Sequence, residues 1–358
     1  MKKLITTLFI FSLVTLDLRS QSNFDLLSKS AFKNYLSEQN FSGALLAINS
    51  NGDKIATSNG YSDALDTELI DIKAKFKIAS ITKLFTSVIV MQLIDEGKVT
   101  LKTTIAEVLP ESGITNAKKI SLKNLMQHTS GLKNESKISY LHNYSADRLI
   151  STFATKKALF KPGKDLNYNN VDFIILGKII EQLTDKPYLE NLNERIIRLL
   201  GMDNTGLLVE KELPIDITPA YEIKKSGKKP DLKIHIENFW AAGSMYSTVE
   251  DLLKFTQALK SEELLSIEAK QKLFKSAPSL GYVALGCWTF NSPFIPSSPR
   301  VLERRGGILG ATSVIMTSLD GPETLIVLSN TSGFNPDTFG QADNMKEYLF
   351  KQLFANNH

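Results

Sequence analysis

Residues 84–94, Leu-Phe-Thr-Ser-Val-Ile-Val-Met-Gln-Leu-Ile, are apolar at nearly every position. A helix over them carries hydrophobic side chains almost all round its cylinder, so it belongs in an interior with other elements wrapped about it. The run stops at Asp95-Glu96-Gly97 and starts from Phe76-Lys77-Ile78-Ala79-Ser80-Ile81-Thr82-Lys83. Residues i and i+3 share a helix face, which brings the Ser80 hydroxyl and the Lys83 amine together at the first turn. A lysine held in a dry site loses its proton readily and can take one from a serine, and the helix N-terminus favours an oxyanion nearby. Ser-x-x-Lys alone also fits a plain serine cap followed by a solvated lysine. The apolar surroundings of Lys83 argue for the chemical reading.

The chain has 358 residues, 42% hydrophobic and 22% charged, which suits one large or two modest cores and excludes a disordered chain. Of the net charge of +4, the first twenty residues contribute +2 through Lys2, Lys3 and Arg19 against Asp17. What remains is nearly balanced, which argues against a nucleic-acid partner. Lys2-Lys3, the apolar Leu4 to Leu16 and the polar 19–22 segment read as a signal peptide over residues 1–20, leaving 21–358 as the catalytic part. The apolar stretch is short for a membrane span, though an uncleaved anchor is the alternative. Cys287 is the only cysteine, so no internal disulfide forms, and a periplasmic or secreted protein of bacterial type is expected.

Along the chain, a helix is predicted from Phe24 to Leu36, then two strands at 43–48 and 54–57 joined by Asn51-Gly52, a pair suited to the positive φ of a tight hairpin. Helical pieces follow at 122–128, 146–153, 171–183, 190–200 and 249–259, with Lys224 to Pro230 as a solvated loop. Strands return at 282–290, 310–317 and 324–328, and a helix over 345–354 closes the chain. The pattern predicts an α+β fold: an antiparallel sheet built from both chain ends, 24–75 and 280–358, flanked by helices, with a helical domain over 76–279 inserted.

Two further clusters stand out. Tyr168-Asn169-Asn170 precedes the 171–183 helix, where Tyr168 and Asn170 can both face inward from an irregular turn, or Asn170 can be an ordinary N-cap. Arg304-Arg305-Gly306-Gly307-Ile308-Leu309-Gly310 leads into a strand, and its paired glycines allow close approach of a ligand or mark a bulge. With Ile78 to Lys83, Leu125-Met126-Gln127-His128-Thr129-Ser130-Gly131-Leu132 and Ala242-Gly243-Ser244-Met245-Tyr246-Ser247-Thr248, these motifs stand in one order. That order resembles the serine β-lactamase and penicillin-binding protein superfamily, in the branch of class C β-lactamases, DD-carboxypeptidases, esterases and D-aminopeptidases.

The resemblance implies the β-lactamase/transpeptidase-like fold and assigns roles. Ser80 is the acyl-forming nucleophile, Lys83 its proton partner and Tyr168 the second acid/base group; Asn170, Gly306 and Gly307 line the substrate cleft. The backbone N–H groups of Ser80 and Gly307 form the oxyanion hole. Arg304 stands where the family carries Lys or His, with Arg305 and Gly307 as the other register. There Arg304 is expected to attract a substrate carboxylate, or else to point outward and pair with Glu303 or Glu323. No metal or other cofactor is implied, since His128, His142, His235 and His358 lack ligand spacing. The expected activity is an exported serine hydrolase acting on a β-lactam, a D-amino-acid peptide or a small ester, a small-molecule or peptidoglycan-related substrate. A sensor that acylates without turnover is the alternative.

Overall fold

The computed structural model describes residues 29–209 and 216–354. Elements are numbered in chain order. Its centre is a six-stranded antiparallel sheet in the order β2 (Lys54–Asn59), β1 (Gly43–Ile48), β11 (Thr324–Ser329), β10 (Ala311–Ser318), β9 (Arg300–Ile308), β8 (Trp288–Asn291). The first two strands and the last four thus come from opposite ends of the chain, as expected, and β1 joins them by pairing with both β2 and β11.

All six residues of β1 are buried because the sheet is covered on both faces. Leu45 and Ala47 face a smaller core with Phe32 and Leu36 of α1 (Lys29–Glu38) and Leu349 and Phe350 of α10 (Met345–Gln352). Ala44, Leu46 and Ile48 face the larger core, which contains the helix over the central apolar run, α2 (Thr82–Asp95). Eleven of the fourteen residues of α2 are buried, as its all-round apolarity requires. Around it lie α3 (Ile105–Val108), α4 (Leu122–Met126), α5 (Ala146–Leu149), α6 (Asn170–Thr184), α7 (Tyr188–Leu192), α8 (Val249–Lys260) and α9 (Ile267–Leu273). A three-stranded patch of β3 (Phe76–Lys77), β7 (Met245–Ser247) and β4 (Gly206–Leu207) supports the approach to α2.

Several local expectations change. Lys224 to Pro230 is no loop: β5 (Tyr221–Lys224) and β6 (Gly227–Pro230) form a hairpin whose turn uses Gly227 at φ 100. The 304–308 stretch does not merely lead into a strand but is the second half of β9, held by pairing of Arg304 with Ile315 through Ile308 with Ala311. Of 282–290 only the end is strand. The 190–200 helix is a short α7 followed by a wider π-type turn over 193–197. Residues 1–20 and 24–28, with the signal peptide and the start of the first helix, lie outside the described residues.

Candidate active site

Ser80 sits on a tight helical turn, residues 79–81, between β3 and α2. The turn is pinned on two sides: Ile78 N–H donates to Met245 O (3.0 Å), and Ser313 Oγ of β10 donates to Ile78 O (2.9 Å). Ala79 is held at φ 46, a left-handed backbone conformation that costs energy in a residue with a Cβ and that the surrounding bonds enforce. Gly306 lets β9 close on this turn, since a Cβ there would lie 2.3 Å from Ile78 O and 3.1 Å from Ser80 N.

Lys83 is fully buried. Its ammonium donates to Asn170 Oδ1 (2.6 Å), Ala242 O (2.7 Å) and Ser80 Oγ (3.1 Å), so each of its three protons has an acceptor. Neutralising it leaves two of those bonds in place and turns a lone pair on Ser80. Burial lowers its pKa, and the Arg304 charge lowers it further, against the opposing influence of Tyr168 and Glu135.

Tyr168 donates its hydroxyl proton to Ser80 Oγ (2.7 Å) and accepts from Arg304 Nη2 (2.9 Å), while Arg304 Nε donates to Ser80 O (2.6 Å). The guanidinium also lies 5.7 Å from the Tyr168 ring and 5.3 Å from the Trp288 ring. Burial pushes the phenol up, but the Arg304 and Lys83 charges and the hydrogen bonding with Lys83 and Ser80 outweigh it and bring Tyr168 down to about 8. Lys83 and Tyr168 therefore form one coupled unit. Removal of a proton from the pair, as amine or as phenolate, leaves a base within hydrogen-bond distance of Ser80 Oγ.

Arg304 is 1% exposed. It does not pair with Glu303 or Glu323; Glu303 bonds to Arg305 and to Lys346 Nζ (2.7 Å) on the other face of β9. Its Nε and Nη2 donate inside the protein, so its charge reaches the cleft through Tyr168 and from the cavity wall that it also lines. Arg305 has its side chain on Glu303 and 3.9 Å from Asp337. The helix cap is Asn169, whose side chain accepts from Val171 N (2.8 Å), not Asn170. That shift frees Asn170 for the site.

Beyond Glu303 the edge of β9 has no β8 partner. Gly306 and Gly307 lie on this open edge beside Ser80 and Tyr168 in a cavity of about 320 Å³. Ser80, Lys83, Tyr168, Asn170, Arg304, Gly306 and Gly307 are thus brought together from α2, α6, β9 and their approaches.

Sequence reasoning missed two members. Ala242 contributes only its carbonyl, presented to Lys83 after the backbone of Trp240 turns to φ 36 and ψ −119. A backbone acceptor has no side-chain signature, although the 242–248 motif marked the place. Glu135 accepts from Asn170 Nδ2 (2.6 Å) and from the Tyr140 hydroxyl, which orients the Asn170 amide with its oxygen toward Lys83. Behind Tyr168, the buried His128 lies 4.4 Å away ring to ring, accepts from Asn169 N (3.2 Å) and is held neutral by burial, well below the ordinary imidazole pKa.

The family model described as Beta-lactamase matches residues 29–350. PbpX of Bacillus subtilis, a protein named for penicillin binding, is 26% identical over 326 residues, covering 89% of this chain and 78% of that protein. A teichoic acid D-alanine hydrolase of Staphylococcus aureus is 27% identical over 236 residues, 65% of this chain and 57% of the hydrolase. The crystal structure of the D-amino acid amidase of Ochrobactrum anthropi superimposes with a TM-score of 0.76 at 20% identity, covering 90% of this chain and 97% of the amidase.

Proposed function

The chain belongs to the beta-lactamase family and is a serine hydrolase, and we propose that it works by forming an acyl-enzyme on Ser80 with an ester or amide substrate. The observation that carries this reading is the placement of Ser80 Oγ within 3.1 Å of Lys83 Nζ and 2.7 Å of the Tyr168 hydroxyl. In the first step Ser80 Oγ attacks the substrate carbonyl carbon and gives its proton to the Lys83–Tyr168 pair. The developing oxyanion is received by the Ser80 and Gly307 N–H groups. The bond to the leaving group then breaks, and the pair returns the proton to the leaving oxygen or nitrogen. In the second step water attacks the Ser80 ester with the same pair as base, which restores the serine and releases an acid.

The names of the relatives, a D-alanine hydrolase and a D-amino acid amidase, support a D-amino-acid ester or amide as the first substrate to try. The 1–20 segment supports export to the periplasm or the medium. Among the described residues no helix is long and apolar enough to cross a membrane. A panel of p-nitrophenyl acetate, D-alanine p-nitroanilide and a chromogenic cephalosporin tests the activity. Steady turnover of any of them that vanishes in Ser80→Ala upholds the proposal. A stoichiometric adduct without turnover makes the protein a sensor instead, and no reaction at all removes Ser80 as nucleophile.

A further inference from the structure

Ser80, Tyr168 and Gly307 are shared by two cavities, so the cleft divides at the nucleophile. One lobe is lined by Trp288, Arg304, Arg305 and Asp337. The other, of about 270 Å³, is lined by Tyr140, Asn170 and Phe239 and ends at Ile234, Ile308 and Leu309. Those last three residues also bound a further cavity of about 470 Å³, walled mainly by Leu208, Ile217, Pro219, Ala220 and Ile236. Arg304, Arg305 and Asp337 make the first lobe charged, whereas Phe239, Ile234, Ile308 and Leu309 make the second largely apolar, so a polar leaving group suits the first. The acyl group is then left with the Asn170 lobe and the apolar cavity behind it.

We propose that the 470 Å³ cavity is the acyl-chain subsite of the Ser80 centre, taking an aliphatic or aryl acyl group that passes over Ile234, Ile308 and Leu309. This rests on the hydrolase reading above. Its size and lining suit an apolar ligand of several carbons. Leu208, Ala220, Ile236 and Ile308 come from four separate stretches of the chain and form a small apolar cluster of their own beside Ala79, the residue before the nucleophile. Leu232 stands on the rim 64% exposed, an apolar side chain with water as its present neighbour.

The charged groups of the wall do not select an ionic chain. Asp231 accepts from Gly310 N (2.7 Å) and lies 3.6 Å from Lys77 Nζ, so the two charges offset each other while pinning the β9–β10 turn. Lys233 and Glu237 likewise bring one charge of each sign to the lining. An acetyl group fits within the 270 Å³ lobe beside Ser80 and gains nothing from the cavity behind it, whereas a longer chain leaves water for an apolar surface.

The test is a series of p-nitrophenyl acetate, butyrate, hexanoate and octanoate hydrolysed by the wild-type protein and by two variants. Ala220→Phe fills the cavity from within, and Leu232→Asp puts a charge on the exposed rim without disturbing a packed core. Each buried methylene is worth about a fourfold gain in kcat/KM. With part of the chain buried, the hexanoate is expected to exceed the acetate by about tenfold or more, and both variants are expected to shrink that ratio. A flat or falling series in the wild-type protein overturns the subsite while leaving the hydrolase reading standing. A rise that both variants retain overturns it as well. No turnover across this series and the earlier panel removes the hydrolase reading and the subsite with it.

Discussion

Arg304 acts on the chemistry through its permanent charge and its two committed bonds. A guanidinium free to attract a substrate carboxylate would make Arg304→Ala cost more on carboxylate-bearing substrates than on neutral esters. The buried guanidinium, bonded to Ser80 O and the Tyr168 hydroxyl, changes that expectation to a loss of about 10²-fold on both classes. Removing the cation also withdraws what stabilises the phenolate and what disfavours the ammonium of Lys83. Both effects have the same sign. The rise of kcat/KM with pH, centred near the Tyr168 value of about 8, therefore moves to higher pH in Arg304→Ala. Glu135 has the opposite sign, because its charge favours protonated Lys83, so Glu135→Gln moves the rise to lower pH. A pH profile on a neutral ester checks both directions, and a profile unmoved in either variant refutes the coupling. Ser80→Ala is expected to fold and to lose more than ~10³-fold of activity.

Between elements, the site depends on how closely β9 meets the turn before α2. Gly306→Ala would put its Cβ 2.3 Å from Ile78 O and 2.4 Å from Ser313 Oγ, forcing the strand off the nucleophile turn. A loss of about 10²-fold in kcat/KM, accompanied by destabilisation, is expected. At Gly307 an added Cβ meets nothing within 4 Å, so Gly307→Ala is expected to change stability by no more than about 0.5 kcal/mol. Urea unfolding of the two variants checks the contrast, and equal effects would mean that close approach at Gly306 is not what the strand requires. On the helical side, Gly177 of α6 serves the same end. A Cβ there would come 2.7 Å from Trp240 and 2.8 Å from Ala241, the segment that delivers the Ala242 carbonyl to Lys83.

Across the whole molecule, the C-terminal helix is tied to the catalytic strand by buried charge. Lys346 of α10 is fully buried and bonds to Glu303 (2.7 Å) and Thr338 O (2.6 Å), with Glu347 at 3.4 Å. Glu303 precedes Arg304 on β9 and faces the opposite side of the sheet. Lys346→Met leaves Glu303 buried with Arg305 alone, and a loss on the order of 3 kcal/mol is expected. Because a buried pair replaced by apolar or neutral groups is far cheaper than half a pair, adding Glu303→Gln should recover part of that loss. Additive losses in the double variant, measured by urea denaturation, would rule out the pairing as the cause.

The parts of this protein legible in its sequence are those set by local physics. An apolar run without a polar face made α2 central, and Asn51-Gly52 made a hairpin of β1 and β2. The i, i+3 spacing placed Ser80 and Lys83 side by side. Residues whose role depends on a distant partner were legible only as motifs or not at all. Arg304 to Ile308 lacks strand alternation and becomes a strand because β10 pairs with it. The direction of the Arg304 side chain follows from that register, and so does its bond to Tyr168, 136 residues earlier in the chain. Glu135 and the Ala242 carbonyl enter the site only when α6 and the Trp240 bend are packed against α2. Sequence patterns report which face of an element is apolar, since water alone enforces that. Which polar atoms share a buried site is decided by packing, where each unsatisfied donor or acceptor costs enough to select one arrangement over its neighbours.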